Sequence, residues 1–263
     1  MRVVCPFIAV FLLNGLLPLF AANEKSSSGV PAGWSALQYD NYGNDLLNKH
    51  QFALSRKYFD AAIRLEPTRW TAYFNRATAF GCEGNWTASL KDLNETVRLK
   101  PAFFMASWMR AFTYKMMGNY AAALKDLDAL AKGAFQVQNP GELALILNER
   151  AAIRASCPDG AFRNAQLAIA DAKKACDLQK WKGSNYIDTL ASAYAEAGDF
   201  DSAIRYEEQA IALNKSGKDE DLMSESKKYA EMLAKGNPAR AKRYLQRLEL
   251  YKQHRPYRMT AKR

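Results

Sequence analysis

The chain has 263 residues, with 37 Lys and Arg against 27 Asp and Glu, and so a formal net charge of +10. About half the residues are apolar and a quarter are charged, which excludes a disordered chain, and 9 Pro with 14 Gly exclude a collagen-like or low-complexity one. Abundant alanine and scarce β-branched runs favour helix.

Met1 and Arg2 give a short positive start, and Val3 to Ala22 follows without a single charge. A run of this length reads as a secretory signal or a spanning helix. Pro6, Asn14, Gly15 and Pro18 weaken it as a span, and the polar stretch from Asn23 to Ser28 reads as a mature N-terminus. The expectation is an export signal over 1–22 and a flexible segment over 23–35. The alternative is an uncleaved anchor. Export places the mature protein in the periplasm or outside the cell.

From residue 36 the chain repeats itself at thirty-four residues. Gly43, Ala77 and Ala111 hold that spacing, as do Leu46, Phe80 and Tyr114, then Ser55, Ser89 and Ala123, then Phe59, Leu93 and Leu127. Pro67 and Pro101 close the first two units, and Gly84 and Gly118 mark a shared turn. Small residues recur where two helices approach closely, and large apolar ones recur at helical spacing. Each unit therefore reads as two helices, a short turn and a Pro stop. One unit cannot bury its apolar face alone, so neighbours must stack.

The runs Trp70-Thr-Ala-Tyr-Phe-Asn-Arg-Ala77, Gly84-Asn-Trp86, Ser89, Leu93 and Pro101 resemble the tetratricopeptide repeat (TPR). The later run from Asp188 to Phe200 is similar to exported bacterial members of that family. The resemblance implies an all-α fold, a right-handed superhelical solenoid of helix-turn-helix units. Those units fall at about 36–69, 70–103, 104–137, 144–183 and 184–217. The fourth carries about five extra residues in its turn at Cys157-Pro-Asp-Gly160. Asp221 to Ala234 and Pro238 to Lys252 read as a degenerate helical cap over 218–253, followed by a basic tail over 254–263.

No catalytic, cofactor-binding or metal constellation accompanies this pattern. His50 and His254 lack a helical His or Cys partner, Gly217-Lys218 lacks the remainder of a phosphate loop, and no nucleophile elbow is present. The chain therefore reads as a scaffold and not an enzyme. After removal of the signal, Cys82, Cys157 and Cys176 remain, and buried thiols are expected at all three. Cys157 is expected near the start of the second helix of its unit and Cys176 near the end.

In the family, the first helix of each unit lines a concave groove. The groove positions here are Asn44 in unit one, Phe74 and Asn75 in unit two, and Met105, Trp108, Met109 and Phe112 in unit three. They suggest an apolar patch flanked by amides, suited to a protein or peptide segment. The chaperone-binding members hold a terminal carboxylate with Lys, Asn, Asn, Lys and Arg. Asn44 and Asn75 match the two amides, but Asp40, Met105 and Met109 stand at the cationic positions, so that clamp does not carry over.

The charge is confined to one end. Residues 227–263 hold twelve Lys and Arg against two Glu, which is the whole of the +10. Arg240, Lys242, Arg243 and Arg247 suggest an electrostatic contact with an anionic envelope polymer or an acidic protein. An export signal argues against nucleic acid, and a membrane contact follows only if the N-terminal segment is uncleaved. The alternative function is a structural part of an envelope assembly attached through this basic helix.

Overall fold

The computed structural model describes residues 30–137, 139–216 and 238–259. The expected export signal and the expected helix over 221–234 lie outside the described residues. Eleven α-helices and no strand occur among the described residues. Two compact units make up the chain, one ending at Thr113 and the other beginning at Tyr114.

The first unit contains α1 (Ala36–Asn48), α2 (Phe52–Leu65), α3 (Trp70–Cys82), α4 (Trp86–Leu99) and most of α5 (Phe104–Met116). Ser35 starts α1 with a capping box, its hydroxyl accepting from Gln38 N while the Gln38 side chain accepts from Ser35 N. Asn85 starts α4 by accepting from Ala88 N. α1 packs on α2, α3 on α4, and α2 on α3. Gly43 is the point of closest approach: a Cβ there would lie 2.6 Å from the buried ring of Phe59. At the outer end, Trp34 packs against Tyr39, Tyr42 and Tyr58, with ring centroids 5.5 to 6.1 Å apart. Tyr39 donates its hydroxyl to the carbonyl of Pro31, which holds the entering chain over α1.

The second unit contains α6 (Tyr120–Val137), α7 (Pro140–Ser156), α8 (Ala165–Leu178), α9 (Ser184–Glu196), α10 (Phe200–Ser216) and α11 (Pro238–Lys252). Helices α7 and α8 form one hairpin and α9 and α10 another, with α11 packed on α10. Asn119, Asn139, Asn164 and Asp199 each accept a backbone N–H three residues on, so every helix they precede starts on a side-chain cap. α7 begins at Pro140, four residues before the expected start of its unit at 144. It ends at Ser156 because Pro158 holds Cys157 extended. Cys157 is therefore the C-cap of a first helix, and not the start of a second one as expected. The inserted turn is pinned by Arg163, which donates to the carbonyls of Cys157 and Pro158 and to Glu196.

Two arginines repeat one arrangement. Arg76 of α3 grips Asp92 of α4 and reaches Asp60 of α2. Arg150 of α7 grips Asp171 of α8 and reaches Asp128 of α6. Each staples a first helix to the second helices on either side of it.

The turns repeat as well. Gly84, Gly118 and Gly198 take φ of 78°, 77° and 81°, where a glycine costs least. His50 occupies the equivalent place in the first hairpin at φ 60°. Helix α11 ends the same way, with His254 at φ 55°. There Arg255 N bonds to Leu250 O, just as Gln51 N bonds to Leu46 O and Asn85 N to Phe80 O. α11 therefore stands as the first helix of a further half-unit.

Candidate functional site

In the first unit, Asp40 of α1 gathers side chains from α3 and from Arg69 just before it. This carboxylate is 3% exposed and accepts from Arg69 Nε at 2.9 Å, Thr71 Oγ1 at 2.5 Å and Asn75 Nδ2 at 2.9 Å. The Asn75 amide, counted among the groove positions, is donated to Asp40. Sequence spacing did not anticipate this cluster, although Asp40 and Asn75 sit one repeat plus one residue apart.

The apolar positions are packed more deeply than an open patch. Phe74 and Trp108 are each 3% exposed and Met109 is fully buried. Phe74 meets Phe103 edge-on at 4.9 Å, and the Thr78 hydroxyl lies 3.9 Å from the Met109 sulfur. Trp108 stacks on Phe112 at 6.2 Å. Asn44, Met105 and Phe112 are half-buried. Two polar atoms of these first helices have no hydrogen-bond partner among the described residues: the buried indole Nε1 of Trp108 on α5 and the buried Oδ1 of Asn44 on α1. One is a donor and the other an acceptor.

The basic end is less free than its sequence suggests. Arg247 is turned inward, donating to Asp188 at 2.5 Å, and its guanidinium lies over the Tyr257 ring at 4.1 Å. It is a packing residue and not part of an exposed basic surface. Burial is the largest single influence and works against its charge, but Asp188, Tyr251, Glu207 and Tyr257 together outweigh it and keep the guanidinium protonated. Arg258 pairs with Glu196, and Met259 N bonds to Ser156 O, so the described part of the tail is fastened to α7 and α9. Lys242 and Arg243 remain exposed, and Arg240 is half-buried.

Cys157 and Cys176 are free and buried, and burial pushes the Cys176 thiol up to about 12. Cys82 is disulfide-bonded, so the expected thiol is not present there. Among the described residues no three His, Cys, Asp or Glu side chains converge as a metal-binding set, and no helix is long and apolar enough to cross a membrane.

No family model matches the chain. Among curated proteins it is 33% identical over 85 residues to the tetratricopeptide repeat and J domain-containing co-chaperone DNJ1 of Cryptococcus neoformans var. grubii. That match covers 32% of this chain and 16% of the co-chaperone. Among solved structures, MamA from Desulfovibrio magneticus RS-1 aligns at a TM-score of 0.55 with 18% identity, over 73% of this chain and 98% of that one. A tetratricopeptide repeat protein from Parabacteroides merdae aligns at 0.57 with 18% identity, over 87% and 82% of the two chains. YrrB, described as a TPR protein with an unusual peptide-binding site, aligns at 0.52 with 13% identity, over 75% and 90%. Likeness at this identity establishes a shared fold.

Proposed function

We propose that this chain, a tetratricopeptide-repeat protein by fold, is an exported, non-catalytic scaffold that holds a segment of another protein on the first-helix face of its first unit. The observation that supports this reading is that two buried polar atoms, Asn44 Oδ1 on α1 and Trp108 Nε1 on α5, each lack a hydrogen-bond partner among the described residues. A buried polar atom without a partner costs about 1–3 kcal/mol, and the main chain of a bound segment supplies both a carbonyl and an N–H. Phe74 and Met109 are buried apolar residues of α3 and α5, and half-buried Met105 and Phe112 are residues a segment stacks against or moves aside. YrrB, a structure of the same fold, carries a peptide-binding site, which fits a peptide in this role. Export rests on the charge-free run from Val3 to Ala22.

A photo-activated cross-linker at Met105, in the cells that make the protein, tests the reading. The expected result is a discrete protein adduct at Met105 that is absent when the cross-linker replaces exposed Lys91 on α4. The same adducts at both positions, or none at Met105, contradict it.

A further inference from the structure

Helix α11 turns Tyr244, Arg247, Leu248 and Tyr251 inward, at the spacing of one helical face. The Tyr244 and Ser184 hydroxyls are 3.1 Å apart, and those of Tyr251 and Ser192 are 3.0 Å apart. Between them, Arg247 donates to Asp188 at 2.5 Å and to Ser192 at 3.3 Å. Ser184, Asp188 and Ser192 recur every four residues along α9, so α11 covers one continuous polar stripe of that helix.

Behind this stripe sits Glu207 of α10, with no exposed surface. Facing it are Asp188 from α9 and Arg243, Arg247 and Tyr251 from α11. Neither of its carboxyl oxygens makes a well-formed hydrogen bond among the described residues. One buried guanidinium therefore stands against two buried carboxyl groups, and its direct bond goes to Asp188. A second carboxylate there has only the solvent-exposed Arg243 besides the already engaged Arg247 to offset its charge, and is disfavoured. Burial first, and then the Asp188 charge, push the Glu207 carboxyl up to about 10.

We propose that Glu207 makes the seating of α11 a proton-linked step: the helix docks on α9 and α10 with Glu207 protonated, and loosens when that proton leaves, uncovering the Ser184–Asp188–Ser192 stripe. Once α11 lifts away and Glu207 meets water, its carboxyl titrates near the ordinary 4.5. An acid whose value is raised in the docked state favours docking below that ordinary value. Docking then weakens as pH climbs from 4.5 towards about 10. Within that window the docking constant falls by up to about tenfold per pH unit. The proposal concerns the second unit and stands apart from the segment-binding face of the first.

Hydrogen exchange on the full chain between pH 6 and 9, corrected for the intrinsic pH dependence of exchange, tests it. The α11 amides are followed, with those of α3 as the reference. The expected result is opening of α11 that rises by several-fold per pH unit in the wild type, a slope α3 does not share, and a flat profile in Glu207→Gln. A flat wild-type profile, or an undiminished slope in Glu207→Gln, overturns the proposal. Carbon-13 titration of the Glu207 carboxyl in the wild type decides independently of whether the variant folds. A protonated carboxyl at pH 7 is expected, and a carboxylate at that pH overturns the proposal.

Discussion

Arg76 donates through Nε and Nη2 to the two carboxylate oxygens of Asp92, each at 2.7 Å. Its remaining nitrogen reaches Asp60 at 2.6 Å, so one guanidinium ties α2, α3 and α4 together. The Asp92 side chain is 4% exposed, and without Arg76 its charge is buried and unpaired. Breaking such a pair costs about 3–5 kcal/mol. Arg76 is itself 19% exposed, which places the expected loss for Arg76→Ala at the lower end, about 3 kcal/mol. Arg76→Lys recovers only part of it, because an ammonium cannot take both oxygens of Asp92 and still reach Asp60. Urea unfolding of the two variants measures the difference.

Gly43 and Gly133 give opposite expectations for the same substitution. A Cβ at Gly43 meets the Phe59 ring at 2.6 Å, and that ring is fully buried against Leu47 and Ala79. Gly43→Ala is expected to destabilise by about 1–3 kcal/mol. Nothing lies within 4 Å of a Cβ at Gly133, inside α6. Gly133→Ala is expected to stabilise by about 0.5–1 kcal/mol through helix propensity. Thermal melts of the two variants should move in opposite directions.

His50 and His254 hold the turn position that glycine holds in three other hairpins. A left-handed backbone costs a residue with a side chain about 1–2 kcal/mol. His50 meets Phe52 only edge-on at 5.9 Å, so His50→Gly is expected to raise stability by roughly 0.5–1 kcal/mol. His254 lies flat on Phe200, with ring centroids at 5.0 Å. His254→Gly loses that stack and is expected to gain nothing. Equal gains from both variants would mean that the stacked ring contributes little.

The helical hairpins are legible in the sequence because their cause is periodic. Gly43, Ala77 and Ala111 must be small where helices cross, and Gly84 and Gly118 must turn the chain. Spacing says which residues share a face, but not what covers that face. It therefore places Phe74 on α3 and Trp108 and Met109 on α5 without disclosing how deeply each is buried. Asn75 carries no mark of its bond to Asp40, and a run of cations does not disclose that Arg247 points inward to Asp188. The arginine staple was within reach. Asp60, Asn94 and Asp128 repeat at thirty-four residues, and Arg76 and Arg150 both directly precede the small residue of their helix.

The central claim, that the first unit holds a protein segment through its unmatched polar atoms, is tested most directly at Trp108. Truncating this residue to alanine would remove a buried ring and cost about 3–5 kcal/mol of stability, which confuses folding with binding. Trp108→Phe keeps an aromatic ring on Phe112 and removes only the indole N–H and part of the ring system. The segment identified by cross-linking at Met105 is then titrated against both forms. The account predicts affinity weaker by about 2- to 13-fold, the loss of one hydrogen bond of about 0.5–1.5 kcal/mol, with the variant still folded and cooperative in its melt. Equal affinity in a folded Trp108→Phe variant would contradict it.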